Sequence, residues 1–385
     1  MNVPKLRFKE FNDEWLIFPL NKIVKFSKGN LLSKADLDDE GLYPCILYGQ
    51  LYTKYSEVIR NIFSKTNRND KNLILSKYGD ILIPSSGETP IDISTSSCVM
   101  VENVILGGDI NILSPVNCDG RFLSYMINNN KKKEIAKVAQ GHSVVHLYND
   151  NLKKINVNIP SLTEQTKIAN TLELLGKKIE LQAKKIEDLK LFKKGLFNTI
   201  KNLNCDSEYL LSDIVTFENG KGHESIVDEN GKYILVNSKF ISTEGKVIKK
   251  CSEQLCPLKE NDIVMVMSDL PNGKALSKCF YINENNKYSL NQRICLLRAN
   301  ENIDSKYLFY KINRNPYYLK FDDGVNQTNL KKNDILNLVV NLPSLSYQKK
   351  YSKIMTSFDK KINAEENYLN KLFELKKGLM QNMFV

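Results

Sequence analysis

The sequence predicts an α/β (α+β) protein in which two similar globular domains are joined by two long, antiparallel coiled-coil helices. A stretch that begins at Pro160 recurs without a gap at Pro343, 183 residues later, and each copy continues as a heptad pattern. Short shared motifs also occur in the segments that precede the two copies. A repeat at so wide a spacing indicates that a whole structural unit is duplicated, so the two halves should be related by pseudo-two-fold symmetry.

The repeat divides the chain into four predicted segments. The first domain is expected at 1–158, the first long helix at 159–203, the second domain at 204–342 and the second long helix at 343–385. Proline and serine stand just before each helical segment, where helices commonly begin. A chain of this length is sufficient for two domains with cores of their own.

The first domain carries short β-branched runs separated by turn residues, which favour strands. The predicted strands are 45–47, 80–83, 98–101, 110–113 and 155–159, and one helix is predicted at 122–138. The second domain repeats this plan, because NDIVM from Asn261 matches GDILI from Gly79, and YLFYKIN from Tyr307 matches FLSYMIN from Phe122. The number of residues between matching positions varies within the domains and is constant across the helices. We therefore expect the two domains to share one scaffold and to differ in their loops.

Apolar residues recur at alternating steps of four and three in both helical segments. The first stripe consists of Ile168, Leu172, Leu175, Ile179, Ile186, Leu189, Leu196 and Ile200, and the second of Tyr351, Met355, Phe358, Ile362, Leu369, Leu372, Leu379 and Met383. Sustained apolar positions with charged flanks predict long helices that pair along a seam. Polar residues interrupt the stripes at corresponding positions, Gln182 and Lys193 in the first and Glu365 and Lys376 in the second.

The composition indicates a polyanionic partner and no membrane partner. The net charge is +11 and the pI is near 9.0, a balance that favours nucleic acid. The chain has no apolar run of about 18 residues and no apolar core at its N-terminus of the kind a signal peptide has. The cysteines are scattered, and the closest pair, Cys251 and Cys256, has no nearby histidine, so we expect a reduced, cytoplasmic protein without a metal site.

We found no catalytic constellation in the sequence. His142 and His146 have helical spacing, but no acid or cysteine completes a metal site. Asn315-Pro-Tyr-Tyr differs from the Asn-Pro-Pro-aromatic loop of amino-methyltransferases in lacking the second proline, and Glu187-Asp-Leu-Lys falls on the heptad stripe, where charges flank a seam. The sequence therefore predicts no active site.

Several motifs at the ends of the domains resemble one known family. They are GDILIP from Gly79, QGHSVVHL from Gln140, INVNIP from Ile155, Glu164-Gln165, KKGL from Lys193, GVNQTNL from Gly324, VVNLP from Val339, and Gln348. On these residues the chain resembles the specificity subunits of type I restriction-modification systems over its full length. The family pattern Gly-x-Thr-Gln-x-Asn-Leu is matched loosely in the second domain and replaced by His-Ser-Val-Val-His-Leu in the first.

The resemblance implies two target recognition domains, each of which binds one half of a bipartite, asymmetric site in double-stranded DNA. It implies that the two helices set the spacing of the half-sites and that the chain is not itself an enzyme. The expected partners are two methyltransferase subunits, which use S-adenosylmethionine, and restriction subunits that translocate DNA with ATP and Mg²⁺. This chain would hold no cofactor.

Two other functions are possible from the sequence. One is a self-contained methyltransferase or nuclease, although the chain has no room for a cofactor-binding domain. The other is a coiled-coil adaptor that does not contact DNA.

Loops that mix amides, tyrosines and basic groups at strand ends are suited to contact base edges and phosphates. In the first domain the candidates are Tyr48, Gln50, Tyr52, Lys54, Ser85 and Ser86. In the second domain they are Asn237, Ser238, Lys239, Ser268, Asn272, Lys274, Asn291, Gln292 and Arg293.

Overall fold

A computed structural model describes residues 3–141, 144–201 and 207–385, without the side chains of 198–201. His142 and the side chain of Ile200 therefore lie outside the described residues. The chain forms two compact units, of which unit 1 comprises Met1–Ile186 with Glu365–Val385 and unit 2 comprises Glu187–Ala364. Each unit contains one α+β domain and part of both long helices, which confirms the predicted fold class. The four-segment division of the chain stays a prediction.

Unit 1 is built on a five-stranded sheet. Its strands, in spatial order, are Val24–Lys28, Ile110–Pro115, Asp80–Pro84, Ser97–Val99 and Val58–Ile59. A three-stranded sheet consists of Ser64–Thr66, Tyr43–Ile46 and Ile105–Leu106. In the central strand, Ile81 and Ile83 face one hydrophobic cluster and Leu82 faces another. Both faces of this strand are therefore covered, which explains its continuous apolar run.

The domain helices of unit 1 are short. They are Gln50–Thr53, Pro90–Ile93, Gly120–Met126, Lys132–Val138 and Asn149–Leu152, with a π-helical segment at Ile127–Lys131. The core on this side contains Trp15, whose ring centroid lies 5.7 Å from that of Phe122. Met380, Met383 and Phe384 at the end of the second long helix join the same core.

Unit 2 repeats this architecture with a four-stranded main sheet. Its main sheet has the order Val215–Asn219, Ile294–Ala299, Ile263–Val266 and Cys279–Tyr281, and its second sheet the order Lys250–Cys251, Tyr233–Val236 and Tyr288–Leu290. Its helices are Leu211–Ile214, Ser238–Ser242, Ser305–Ile312, Pro316–Leu319 and Lys332–Leu336. Tyr307 and Tyr351 are buried in its core with ring centroids 5.2 Å apart.

A two-stranded pair leads from each domain into its long helix. In unit 1, Leu16–Pro19 pairs antiparallel with Asn156–Ile159, immediately before the helix Leu162–Lys201. In unit 2, Ser207–Leu210 pairs with Val339–Leu342, before the helix Leu345–Asn382.

A buried glutamine fixes the first turn of each long helix to its domain. Gln165 accepts a hydrogen bond from the backbone N–H of Asp119 at 3.0 Å and donates one to the carbonyl of Pro160 at 2.9 Å. Gln348 accepts from the N–H of Asp304 at 3.0 Å and donates to the Pro343 carbonyl at 2.8 Å. Because Asp119 and Asp304 cap the helices Gly120–Met126 and Ser305–Ile312, the repeated Pro-Ser-Leu-x-x-Gln motif is a structural clamp.

Within each unit the two long helices pair antiparallel along the predicted seam. In unit 1, Leu175 and Ile179 pack against Leu372, and Lys178 lies 5.5 Å from the ring of Tyr368. In unit 2 the ring centroids of Phe192 and Phe358 are 5.6 Å apart, and those of Phe197 and Tyr351 are 6.5 Å apart. Every seam residue whose side chain the structure describes is buried or half-buried.

Each of the two lysines that interrupt the stripes contacts a tyrosine of a domain. Lys376 forms an ion pair with Glu57 at 2.9 Å and lies 5.9 Å from the ring of Tyr125. Lys193 forms an ion pair with Asp359 and lies 5.3 Å from the ring of Tyr310. Tyr125 and Tyr310 correspond in the repeat, so the two cation–π contacts are pseudo-symmetric.

Candidate nucleic-acid interface

Each domain contains a short two-stranded ribbon at the end of its central strand. Ribbon 1 is Ser86–Gly87 paired with Val145–His146, and ribbon 2 is Ser268–Asp269 paired with Thr328–Asn329. The first strand of each ribbon follows the buried central strand directly. The second strand belongs to the motif that begins at Gln140 or Gly324. These two motifs thus occupy the same place in the two domains.

A serine hydroxyl is held inside each ribbon by the opposite strand. Ser86 Oγ lies 3.1 Å from His146 Nδ1, and Gln327 donates from Nε2 to Ser268 Oγ at 2.7 Å. Ser86 is buried, so the serine–histidine contact cannot present a nucleophile to a large substrate. Tyr148 is 48% exposed, and its ring stacks on that of His146 with centroids 6.2 Å apart. The outer side of ribbon 1 is therefore aromatic.

Backbone hydrogen bonds bring the candidates of unit 1 close to ribbon 1. The Gly107 N–H donates to the carbonyl of Ile46 at 2.9 Å, which places the strand end before Tyr48 beside the turn at 107–109. The N–H of Ser85 donates to the carbonyl of Asp109 at 2.7 Å. Three segments distant in sequence thus meet at one edge of the domain.

Tyr48 and Tyr52 are half-buried beside this edge, and Lys54 is exposed. Burial raises the pKa of the Tyr52 phenol, and the neighbouring Tyr48, Glu88 and Asp92 raise this pKa further. Tyr52 is therefore a neutral hydroxyl at physiological pH, able both to donate and to accept a hydrogen bond. Lys54 lies on the rim of a cleft of about 1050 Å³ within unit 1, away from ribbon 1.

Two of the predicted contact residues in unit 1 have structural roles instead. Gln50 is buried, accepts from the N–H of Leu47 at 3.0 Å and donates to Ser64 Oγ. Ser85 is 3% exposed, and its carbonyl accepts from the N–H of Leu147 at 3.0 Å. Their polar atoms are already paired in the interior, so the structure does not present Gln50 or Ser85 to a ligand. A polar residue in a loop was mistaken for a surface residue in both cases.

The candidates of unit 2 meet in the same way around ribbon 2. The N–H of Asn291 donates to the carbonyl of Val236 at 3.1 Å, and the N–H of Met267 donates to the carbonyl of Arg293 at 3.0 Å. Asn237 caps the helix Ser238–Ser242 by accepting from the N–H of Phe240 at 2.9 Å, so its side-chain oxygen is engaged. Ser238 is half-buried and Lys239 is exposed on that short helix.

Gln292, Arg293 and Lys274 have exposed side chains on this side of unit 2. Gln292 donates to a carboxylate oxygen of Glu224, and Asn272 donates to the carbonyl of Gly324 at 3.2 Å, beside the start of the ribbon 2 motif. Ser268 is buried within the ribbon. The exposed set offers a guanidinium, an ammonium and two amides, which are the groups that bind base edges and phosphates.

The turn before the second strand of each main sheet has the same backbone and an opposite charge in the two domains. Asp109 and Arg293 directly precede Ile110–Pro115 and Ile294–Ala299, and both have positive φ, 60° and 66°. Both carbonyls accept a hydrogen bond from the backbone N–H of the residue that follows the central strand, Ser85 or Met267. Both side chains are exposed. Asp109, His146, Tyr148 and Gln327 are not among the residues that the sequence suggested for DNA contact, because only pairing between distant segments brings them to the corresponding edges of the two domains. The alignment of the two domains would have identified Asp109.

The other motifs considered for chemistry are structural where the structure describes them. Asn315 caps the helix Pro316–Leu319, accepting from the N–H of Tyr317 at 3.0 Å. Glu187, Asp188 and Lys190 are exposed on the first long helix. Among residues 3–141, 144–201 and 207–385, no group of three or more histidine, cysteine or acidic side chains is arranged to hold a metal ion. None of the helices in those ranges is long and apolar enough to cross a membrane.

A protein-family model described as the type I restriction modification DNA specificity domain matches residues 12–191 and 207–374. The two matches correspond to the two halves of the repeat and together cover most of the chain.

Two proteins of Methanocaldococcus jannaschii are similar to parts of the chain. The specificity subunit of type I restriction enzyme MjaVIII is 24% identical over 204 residues, which are 51% of this chain and 46% of that protein. The putative MjaX specificity subunit is 31% identical over 96 residues, 24% of this chain and 23% of that protein. The chain thus spans less than half the length of either relative in these alignments.

Two solved structures share the fold over nearly the whole chain. The S subunit of a type I restriction-modification system from M. genitalium superposes with a TM-score of 0.69 and 18% identity, covering 100% of this chain and 99% of that one. A chain from a structure concerned with complex assembly and conformational transition of the type I R-M system superposes with a TM-score of 0.55 and 13% identity, covering 96% and 97%. At these identities the likeness shows the fold alone.

Proposed function

The chain belongs to the type I restriction modification DNA specificity family, and from this premise we propose that it selects the DNA sites at which a larger complex acts. Each domain recognises one half of a bipartite site in double-stranded DNA. The net charge of +11 supports a polyanionic partner, because lysine and arginine side chains that neutralise phosphates release counterions.

The observation that carries this proposal is the pair Asp109 and Arg293. The same backbone turn presents a carboxylate in one domain and a guanidinium in the other. A carboxylate accepts from the N4 amino group of cytosine, and an arginine donates two hydrogen bonds to guanine. Two domains with one frame and opposite chemistry at equivalent positions are suited to two different half-sites. The full site is therefore asymmetric.

The two long helices set the spacing of the half-sites and offer docking surfaces to partner subunits. The internal repeat gives these helices pseudo-two-fold symmetry, which suits two copies of one partner. Following the family, these partners are two methyltransferase subunits that use S-adenosylmethionine, and restriction subunits that use ATP and Mg²⁺. This chain supplies recognition and no catalytic group.

The test is to combine the purified chain with the methyltransferase subunits, DNA and labelled S-adenosylmethionine, and to map the methylated sites. We expect no methyl transfer by the chain alone, transfer by the assembled complex, and an interrupted, asymmetric site. Methyl transfer by the chain alone would support a self-contained enzyme.

Absence of DNA binding by the assembled complex would support an adaptor without DNA contact. Binding at several salt concentrations distinguishes a true DNA contact, because log affinity falls linearly with log salt in proportion to the phosphates contacted. A palindromic methylated site would contradict the division of recognition between the two domains.

A further inference from the structure

The polar pair in the middle of the helix seam of unit 1 joins two residues that correspond in the repeat. Gln182 donates from Nε2 to Glu365 Oε2 at 2.6 Å and to the Glu365 carbonyl at 3.1 Å. Lys185 forms an ion pair with Glu365 Oε1 at 2.6 Å. Gln182 and Glu365 are also 183 residues apart, which is the offset of the repeat. Each is therefore the other's counterpart in the repeat.

We propose that this contact makes the helix pair heterotypic, so that the two halves of the chain bind each other in preference to second copies of themselves. Glu365 is the residue that sets this preference. Gln182 is 8% exposed and the Glu365 side chain 17% exposed, so the interaction is shielded from much of the solvent and salt that weaken surface pairs. The inference concerns pairing of the helices and does not rest on recognition of DNA.

Self-pairing of the second half would place two carboxylates at the position of the Gln182–Glu365 contact. If two second halves paired with the geometry of the native helix pair, Glu365 of one copy would take the place of Gln182. It would then face Glu365 of the other copy. Lys185 would be absent, since the position 183 residues after it is Tyr368. Two carboxylates at hydrogen-bonding distance, partly removed from water, repel each other. They also lack the hydrogen bonds that Gln182 donates in the native pair.

Self-pairing of the first half is disfavoured for different reasons. Lys178 lies over the ring of Tyr368, and the counterpart of Tyr368 is Lys185, so two lysines would meet in place of a cation–π contact. Phe384 is 5% exposed in the core of unit 1, and its sequence counterpart is Lys201. A lysine would have to enter a site that now holds a buried phenylalanine. Only the native combination satisfies all these positions.

The preference can be measured on the complete chain after a single cut. A protease site introduced within 202–206 allows the folded chain to be cleaved into its two halves, which are then unfolded in urea and refolded together. Native mass spectrometry separates the three possible dimers by mass. We expect the mixed dimer to predominate for the natural sequence, with its ratio to each dimer of like halves at least about tenfold above the random ratio, which corresponds to about 1.4 kcal/mol.

The variant Glu365→Gln should raise the dimer of second halves toward its random share, because two amides can hydrogen-bond where two carboxylates repel. Glu374→Gln is the matched control, since Glu374 is exposed on the same helix and its replacement removes the same charge outside the seam. A random distribution for the natural sequence would overturn the proposal. An unchanged distribution in Glu365→Gln would do the same.

A second measurement uses the intact chain and does not require the halves to reassemble. Gln182→Glu alone places a carboxylate opposite Glu365 and should lower the urea midpoint of unfolding. The double variant Gln182→Glu with Glu365→Gln restores one amide and one carboxylate with their positions exchanged, and should recover most of the stability. Additive destabilisation in the double variant would show that the pair does not act as a unit, which contradicts the proposal.

Discussion

Replacement of Gln165 by alanine should loosen the junction between the first long helix and its domain. The side chain is 1% exposed, and it satisfies the N–H of Asp119 and the carbonyl of Pro160 at 3.0 and 2.9 Å. Each buried backbone group left without a partner costs about 1–3 kcal/mol. The variant should therefore be destabilised by about 2–5 kcal/mol, a large share of the roughly 5–15 kcal/mol that typically stabilises a domain.

The single tryptophan makes this destabilisation measurable in unit 1. Trp15 is the only tryptophan of the chain and is buried in the core of unit 1 beside Phe122, so its fluorescence reports unfolding of that unit. With a mid-range urea slope of about 2 kcal/mol per molar, Gln165→Ala should lower the fluorescence midpoint by about 1–2.5 M. Gln348→Ala removes the equivalent clamp of unit 2, so it should shift the circular dichroism transition more than the fluorescence transition.

Gln381→Ala is the control, because Gln381 is exposed near the end of the second long helix and should leave both midpoints within experimental error. The clamp interpretation is wrong if Gln165→Ala shifts the fluorescence midpoint no more than Gln381→Ala does. Equal fluorescence shifts in Gln165→Ala and Gln348→Ala would instead show that the two units unfold as one.

Three further predictions address recognition, spacing and charge. Changing Gln292 and Arg293 together to alanine should weaken recognition of one half-site by about 1–3 kcal/mol for each good bidentate base contact that these side chains make, and methylation mapping should find the other half-site unchanged; equal weakening at both would contradict the assignment. Inserting one heptad into both long helices adds about 10 Å, or about three base pairs of DNA. Methylation mapping should then find the half-sites correspondingly farther apart. Methylation at the original spacing would contradict the proposal that the helices set the spacing. Burial raises the pKa of Glu173, but hydrogen bonds from Arg60 and Arg121 outweigh burial and lower the net pKa below its ordinary value. A depressed folded-state pKa stabilises the protein above the unfolded pKa, and this stabilisation is lost as the pH falls through the folded value. Glu173→Gln should therefore lower the melting temperature near neutral pH and have progressively less effect as the pH falls below the unfolded pKa of the carboxyl.

The long helices were predictable because their signal is periodic and local. A seam at steps of four and three fixes which face of a helix is apolar, and a second copy at constant offset supplies the partner. The central strand predicted at 80–83 lies within the observed strand Asp80–Pro84 for a similar reason, since its apolar run is continuous. The helix predicted at 122–138 is interrupted by the π-helical segment Ile127–Lys131. In this segment the side chain of Asn128 accepts from the N–H of Ser96 at 2.9 Å and donates to the carbonyl of Ser96 at 2.7 Å. A local sequence pattern does not reveal this tertiary contact.

The candidate interface was only partly predictable, because its geometry depends on contacts between distant segments. Ribbon 1 joins residues about 60 positions apart, and a loop motif does not reveal whether its polar atoms are already paired. Gln50 and Ser85 were therefore taken for surface residues, while His146 and Tyr148 were not proposed to contact DNA. The lysines at 193 and 376 were recognised as interruptions of the stripe, but their contacts with Tyr310 and Tyr125 required the fold.

The difference between backbone contacts and exposed side chains explains how recognition can change while the backbone of the domains is kept. The clamps of Gln165 and Gln348 bond to backbone atoms, which every sequence supplies, so substitutions on the domain surface leave them intact. The turns at Asp109 and Arg293 are likewise held through their carbonyls, and their side chains take no part in that bond. A change from aspartate to arginine at such a turn alters the exposed group and keeps the backbone hydrogen bond, although at position 109 it removes the bond that the carboxylate accepts from Ser85 Oγ at 3.4 Å. The proposed function therefore assigns specificity to exposed side chains on a backbone that the repeated clamps and the seam keep in place.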